Sequence, residues 1–239
     1  MSKGILDNNY AKERESKSEL IFRYKVRAQI LANAIQKYLE KTENLNILEL
    51  GAAEGKTILF LNEILPNNKI TGLEYSSDLI RQAKNLPQNL NLIQGDATNF
   101  DPSVEENTYD VVSALALLEH LTNPVLCIKE ALRVLRPGGI FVATCPNPFW
   151  DHVATMTGLL KAEQHETEMT KKKMIALANE AGLELLRFER FMWAPISFLP
   201  YLKIKISEKN SLKFDKAIHS LRIFNWLFVN QVLIGRKKT

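Results

Sequence analysis

Three acids and two glycines stand where short apolar runs end, and their spacing defines the chemistry open to this 239-residue chain. The run Ile47-Leu48-Glu49-Leu50 ends in Gly51. Ala52, Ala53, Glu54 and Gly55 follow, and then apolar residues recur at helical spacing: Ile58, Leu59, Leu61, Ile64 and Leu65. This pattern predicts a buried strand, a tight turn and a helix. Gly and Ala leave little Cβ bulk in the turn, so a ligand can approach the backbone closely. Lys69-Ile70-Thr71-Gly72-Leu73-Glu74 is a second short strand, and its terminal carboxylate lies 19 residues after Gly55. That is the separation expected of the next strand of a βαβ unit, where a carboxylate can accept two hydrogen bonds from ribose hydroxyls. A third strand, Leu90 to Gln94, runs into Gly95-Asp96-Ala97, and a fourth, Tyr109 to Ala114, ends in small and polar residues. In an open α/β sheet ligands bind outside the carboxyl ends of the strands, and all these features fall there.

The elements that must position these residues alternate. Strands are predicted near 46–50, 69–73, 90–94, 109–113 and 139–145, and helices near 54–65, 77–85 and 123–135. Ser76 or Ser77 can cap the second of these helices, and Asn123-Pro124 opens the third. Alternating βα units imply parallel strands joined by right-handed crossovers. Thr170 is read as the cap of a helix running to Ala181, with Gly182 as its stop. Further strands are expected over Glu184 to Met192 and Trp226 to Gly235. Before the core, residues 10 to 41 read as two helices, with Leu20, Ile21, Tyr24, Ile30, Leu31, Ala34, Ile35 and Tyr38 at helical spacing.

With these motifs in order, the chain resembles a class I S-adenosylmethionine-dependent methyltransferase of the small-molecule branch that includes the ubiquinone-biosynthesis methyltransferases. That family's first motif, an acid followed by three alternate glycines, falls on Glu49, Gly51, Ala53 and Gly55, with Ala53 in place of the middle glycine. Its LEHL segment is Leu118-Glu119-His120-Leu121, and its LRPGG turn is Leu135-Arg136-Pro137-Gly138-Gly139. The resemblance covers residues 45 to 190. It implies a Rossmann-like, seven-stranded, mostly parallel sheet with an antiparallel last strand between the fifth and sixth, and helices on both faces. It also implies an N-terminal helical lid over 1–44, and a methyltransferase domain over 45–239 interrupted by an insertion at 195–222. The implied cofactor is S-adenosylmethionine, bound by Glu49, Gly51, Ala52, Ala53, Gly55, Glu74, Tyr75, Asp96, Ala97 and Ala114. Glu74 takes the ribose, while Asp96 and the Ala97 NH meet the adenine. The implied acceptor is a small or lipid-like molecule.

Methyl transfer from a sulfonium is an in-line displacement in which the cofactor supplies the reactivity. The protein must mainly hold the nucleophile near the methyl carbon and exclude water. A base is needed only where the nucleophile carries a proton. His165, in the segment after strand five, is the candidate base, and His120 is read as a structural residue at a helix start. In related lipid and RNA methyltransferases a Glu precedes the Glu-His pair as a metal ligand; here that place holds Ala116, and no metal is expected. Phe149 and Trp150 are read either as the lining of an apolar acceptor pocket or as core. Two other readings stay open. An NAD-dependent oxidoreductase would share the turn and the ribose-binding acid, and a cofactor-binding protein without activity would share every motif.

Composition bounds the rest. A hydrophobic fraction of 46% and a charged fraction of 24% are ordinary for a globular protein. The net charge of +4 is too weak to imply nucleic acid. Cys127 and Cys145 lack metal spacing, and the N-terminus lacks an apolar signal core, so a reduced cytoplasmic setting is expected. The insertion, Pro195 to Arg222, is distinctive. Lys203, Lys205, Lys209, Lys213, Lys216 and Arg222 face only Glu208 and Asp215, so this segment alone carries +4. It reads either as a packed lid or dimer contact with a basic solvent face, or as a peripheral contact with a membrane surface.

Overall fold

The computed structural model describes residues 18–83, 85–156, 166–221 and 225–239. Its centre is a seven-stranded sheet of order β3-β2-β1-β4-β5-β7-β6. The strands are β1 (Asn46–Leu50), β2 (Lys69–Glu74), β3 (Leu90–Gln94), β4 (Tyr109–Leu115), β5 (Leu135–Pro146), β6 (Glu184–Trp193) and β7 (Phe228–Arg236). The pairs from β3 across to β5 are parallel, whereas β7 runs antiparallel to both β5 and β6. β6 therefore points the same way as β1 to β5, and the insertion that leaves its end emerges at the carboxyl edge of the sheet.

Strand alternation sorts side chains into two cores. Ile47, Val111, Ile140, Val142, Val232 and Ile234 face α1 (Ser18–Tyr38) and α2 (Lys56–Ile64). Leu48, Leu50, Val112, Phe141, Cys145 and Leu233 face α4 (Pro124–Val134) and α6 (Lys171–Ala181). The connecting helices begin where their caps dictate. Ser76 Oγ accepts from Leu79 N ahead of α3 (Ser77–Gln82), and Thr170 Oγ1 accepts from Lys173 N at α6, which ends in the left-handed Gly182.

Over its described part the N-terminal region is one helix, α1, which packs as a layer against the sheet. Val26, Ala28, Leu31, Ala32 and Ile35 are fully buried there. One expectation needs correction, the start of β5. The Leu135-Arg136-Pro137-Gly138 segment joins the strand because Leu135 pairs with Tyr109 and Gly138 N bonds Lys237 O. After β5 a further helix, α5 (Pro148–Met156), forms where the sequence suggested only a loop. The insertion contains the single-turn α7 (Ala194–Ser197), a 3₁₀ turn (Leu199–Leu202) and α8 (Glu208–Leu221). Among the described residues, no helix is long and apolar enough to cross a membrane.

Gly72 is the tightest point between β2 and the β1–α2 turn. A Cβ built there would lie 2.4 Å from Leu92 Cδ2 and 2.5 Å from Ala52 Cβ. Gly72→Ala should destabilise the fold by about 1–3 kcal/mol, the usual cost of overpacking. A fall in the thermal unfolding midpoint of at least a few degrees is the expected readout, and an unchanged midpoint would mean that the turn moves freely away from β2.

Candidate functional site

The turn between β1 and α2 is built from alternating left-handed residues: Gly51 at φ 69°, Ala53 at φ 49° and Gly55 at φ 81°. Gly51 N and Ala52 N both donate to Leu73 O, which folds the turn back over the end of β2. The positive φ is free for glycine but costs alanine about 1–2 kcal/mol, so Ala53 must be held in place. Glu74 supplies the hold. Its Oε2 accepts from Ala53 N and its Oε1 from Ser76 N, each at 2.8 Å. Two bonds from backbone donors fix the carboxylate plane, and each oxygen keeps a second lone pair for a ligand. A Cβ on Gly51 would come within 2.8 Å of Leu117 Cδ1. Leu117 therefore packs against Gly51 only because that position carries no side chain.

Glu49 lies on the sheet face covered by α1. Its register partners are Gly72 on β2 and Ser113 on β4. Glu49 is buried, and its Oε2 has no hydrogen-bond partner. Burial pushes its carboxyl up to about 8, and the positive charge of Arg27 on α1 draws it part of the way back. Near neutral pH the group is therefore largely protonated, and a cation placed beside it would favour the ionised form. A buried carboxyl with one unpartnered oxygen, beside a turn of small residues, suits a ligand bearing positive charge.

The remaining acid is held differently. Asp96 is exposed, and its Oδ1 accepts from both the backbone NH and the hydroxyl of Thr98 at 2.7 Å. Gly95 N bonds Glu74 O, so the loop after β3 is tied beside the Glu74 carboxylate. Ala97 is buried next to it, and Tyr75 projects into solvent from the end of β2. The Ala114 side chain is fully buried against the α4 face. The accessible surface at the end of β4 falls two residues on, at the left-handed Ala116 (φ 57°), whose NH is held by Thr144. His120 closes a short 3₁₀ turn, Leu118–His120. His165 lies outside the described residues. Sequence reading missed Arg27, Leu117 and Thr144, since each acts on the site from another element and leaves no local pattern.

The far end of the same edge is aromatic. Phe149 and Trp150, both on α5, meet edge-on at 5.6 Å, and Phe149 meets Trp226 at 5.7 Å. Trp150 packs on Phe198, and Phe198 on Tyr201, each at 5.8 Å. Trp150 Nε1 donates to Trp226 O. Phe149 is 49% exposed, so core packing does not explain it.

A family model described as a methyltransferase domain matches residues 41–192. An uncharacterized methyltransferase of Schizosaccharomyces pombe is 27% identical over 43% of this chain, and the chain spans only 40% of that relative's length. A ubiquinone biosynthesis O-methyltransferase of Hydrogenovibrio crunogenus is 25% identical over 70% of this chain and 71% of its own length. The solved structure of a SAM-dependent methyltransferase from Archaeoglobus fulgidus superimposes with a TM-score of 0.65 at 16% identity, covering 97% of this chain and 100% of that one. The chain therefore belongs to the methyltransferase-domain family.

Proposed function

We propose that this protein transfers a methyl group from S-adenosylmethionine to a small-molecule or lipid-like acceptor. The observation that carries the proposal is the pairing of the Glu74 carboxylate with the left-handed turn over Gly51, Ala53 and Gly55, with Glu49 buried nearby. Glu74 would hold the ribose hydroxyls, the loop around Asp96 and Ala97 would meet the adenine, and Glu49 would favour the cationic portion. When bound, the cofactor supplies an activated methyl group and a neutral leaving group. The chain's own part is to orient the acceptor and exclude water. The aromatic residues Phe149, Trp150, Phe198 and Tyr201 at the same edge suit an apolar acceptor. The ubiquinone-biosynthesis relative supports the same class. The family match and the reversed β7 set aside the hydride-transfer alternative. His165 remains the proposed base for acceptors that carry a proton.

Calorimetry should give micromolar dissociation constants for S-adenosylmethionine and its demethylated product, roughly 8 kcal/mol of binding free energy. Label from the methyl group should then enter the organic phase when phenolic or lipid extracts are supplied. Binding without any transfer would favour the non-catalytic reading.

Glu74→Ala should weaken cofactor binding by about 1.5–3 kcal/mol, the range for hydrogen bonds to a charged group. A folded variant with unchanged affinity would remove Glu74 from the site.

Glu49 gives a pH signature. Its folded pKa of about 8 lies above the ordinary 4.5, so the folded state binds the extra proton. The stability this contributes is complete below pH 4.5 and is lost as pH rises toward 8, with a slope of at most about 1.4 kcal/mol per pH unit. Denaturant midpoints should fall across that interval, and Glu49→Gln should flatten the profile. A cation bound beside Glu49 should also release a proton near pH 7. Calorimetric heats of cofactor binding should then depend on the ionisation heat of the buffer in the native protein but not in the variant.

A further inference from the structure

We infer that the β6–β7 insertion docks the protein onto an anionic lipid bilayer. This goes beyond the proposed methyl transfer, and its test does not depend on any acceptor. The segment presents apolar side chains to solvent in two places. On the first, the 3₁₀ turn Leu199–Leu202 ends at the left-handed Lys203 (φ 60°), which makes a sharp tip. Leu202 is 70% exposed there, and Tyr201 and Ile204 flank it, also exposed. On the second, α8 carries exposed Phe214, Ala217 and Leu221, spaced as one helical stripe away from its buried Ser211 and Asp215. Trp226, 54% exposed, stands just after the helix and joins the aromatic chain through Phe149.

Charge selects the occupant. Lys203 and Lys205 bracket Ile204 at the tip, and Lys209, Lys213 and Lys216 line one flank of the α8 stripe, all exposed. Of the two acids in this stretch, Asp215 is 3% exposed and is committed to the end of β6, where Met192 N and Trp193 N donate to it at 2.7 and 2.9 Å. It shows no charge to the surface, so only Glu208 opposes the five lysines. Exposed Leu, Ile, Phe, Tyr and Trp interleaved with lysines that can reach outward is the composition of a surface lying in the headgroup region of a bilayer. Each lysine near an anionic surface strengthens attachment by about fivefold, and salt screens that contribution. A second copy of the chain would present the same lysines and repel them. The face also opens onto the carboxyl edge where the cofactor turn lies, since β6 ends at that edge.

Sedimentation of the full chain with vesicles tests the inference. Vesicles of phosphatidylcholine with about a third phosphatidylglycerol should capture the protein at low salt, and neutral phosphatidylcholine vesicles should capture much less. High salt should release it. Changing Lys203, Lys205, Lys213 and Lys216 together to Gln should weaken capture by at least about twentyfold. Leu202→Ser with Phe214→Ser should weaken it at every salt concentration. Cofactor affinity, measured in parallel, should stay constant in both variants and so confirms that they are folded. Failure of the native protein to bind anionic vesicles at low salt overturns the inference. So does capture that neither variant reduces, or a native dimer that the apolar variant converts to monomer without any vesicle binding.

Discussion

The Glu74 carboxylate is the fastening on which the site depends. The proposed binding of a ligand on the backbone of the β1–α2 turn requires that turn to be both open and fixed. Those demands conflict, because a turn of mostly small residues has few contacts with which to hold its shape. Glu74 resolves the conflict by gripping Ala53 N from β2 while Ser76 N grips Glu74 in turn. The left-handed Ala53, a strained residue in isolation, is tolerated because its NH is fixed in this way. Gly72 completes the arrangement by letting Ala52 sit directly on β2.

A second link runs through α1. Its place in the core makes it rigid, and two of its arginines, one helical turn apart, reach different parts of the carboxyl edge. Arg27 acts electrostatically on Glu49, beside the β1–α2 turn. Arg23 Nη2 donates to Tyr201 Oη in the insertion at 3.0 Å. The turn and the insertion belong to strands four places apart in the sheet order, about 19 Å at ordinary strand spacing. One buried helix therefore touches both, and a shift of α1 would be felt at each.

Much of this was legible in the sequence, and the division between what was and what was not is physical. β1 and β3 appear at the residues their apolar runs predicted, and α2 starts just after Gly55, where the turn signal ends. Capping was equally readable, as Ser76, Thr170 and Gly182 show, because a cap acts on residues three or four away. The reversal of β7 was expected only from the family resemblance, since no local pattern states which way a strand runs. Arg27 and Glu49 are 22 residues apart in sequence, and their meeting is decided by how α1 lies across the sheet. The packing of α1 is decided in the same way: Val26, Ala28 and Ala32 complete an apolar face whose partner is the sheet itself.

Asp215 shows most clearly how folding changes the meaning of a composition. In the sequence it is one of two acids that offset the basic residues of the insertion. In the fold it is a buried clamp. Met192 near the end of β6 is left-handed (φ 62°), and the NH groups of Met192 and Trp193 donate to the Asp215 carboxylate on α8. His219, one turn further on, stacks on Phe228 at 4.3 Å with its Nε2 2.7 Å from Arg190 O. The helix is thereby fastened to β6 and β7 by polar residues, beside Leu212, which packs against the core. Its apolar residues Phe214 and Leu221 are left outside, beside lysines whose nearest counter-charge has been drawn inward. Anchoring and surface chemistry are consequences of the same burial: fastening α8 through Asp215 is what exposes a basic, apolar face at the carboxyl edge of the sheet.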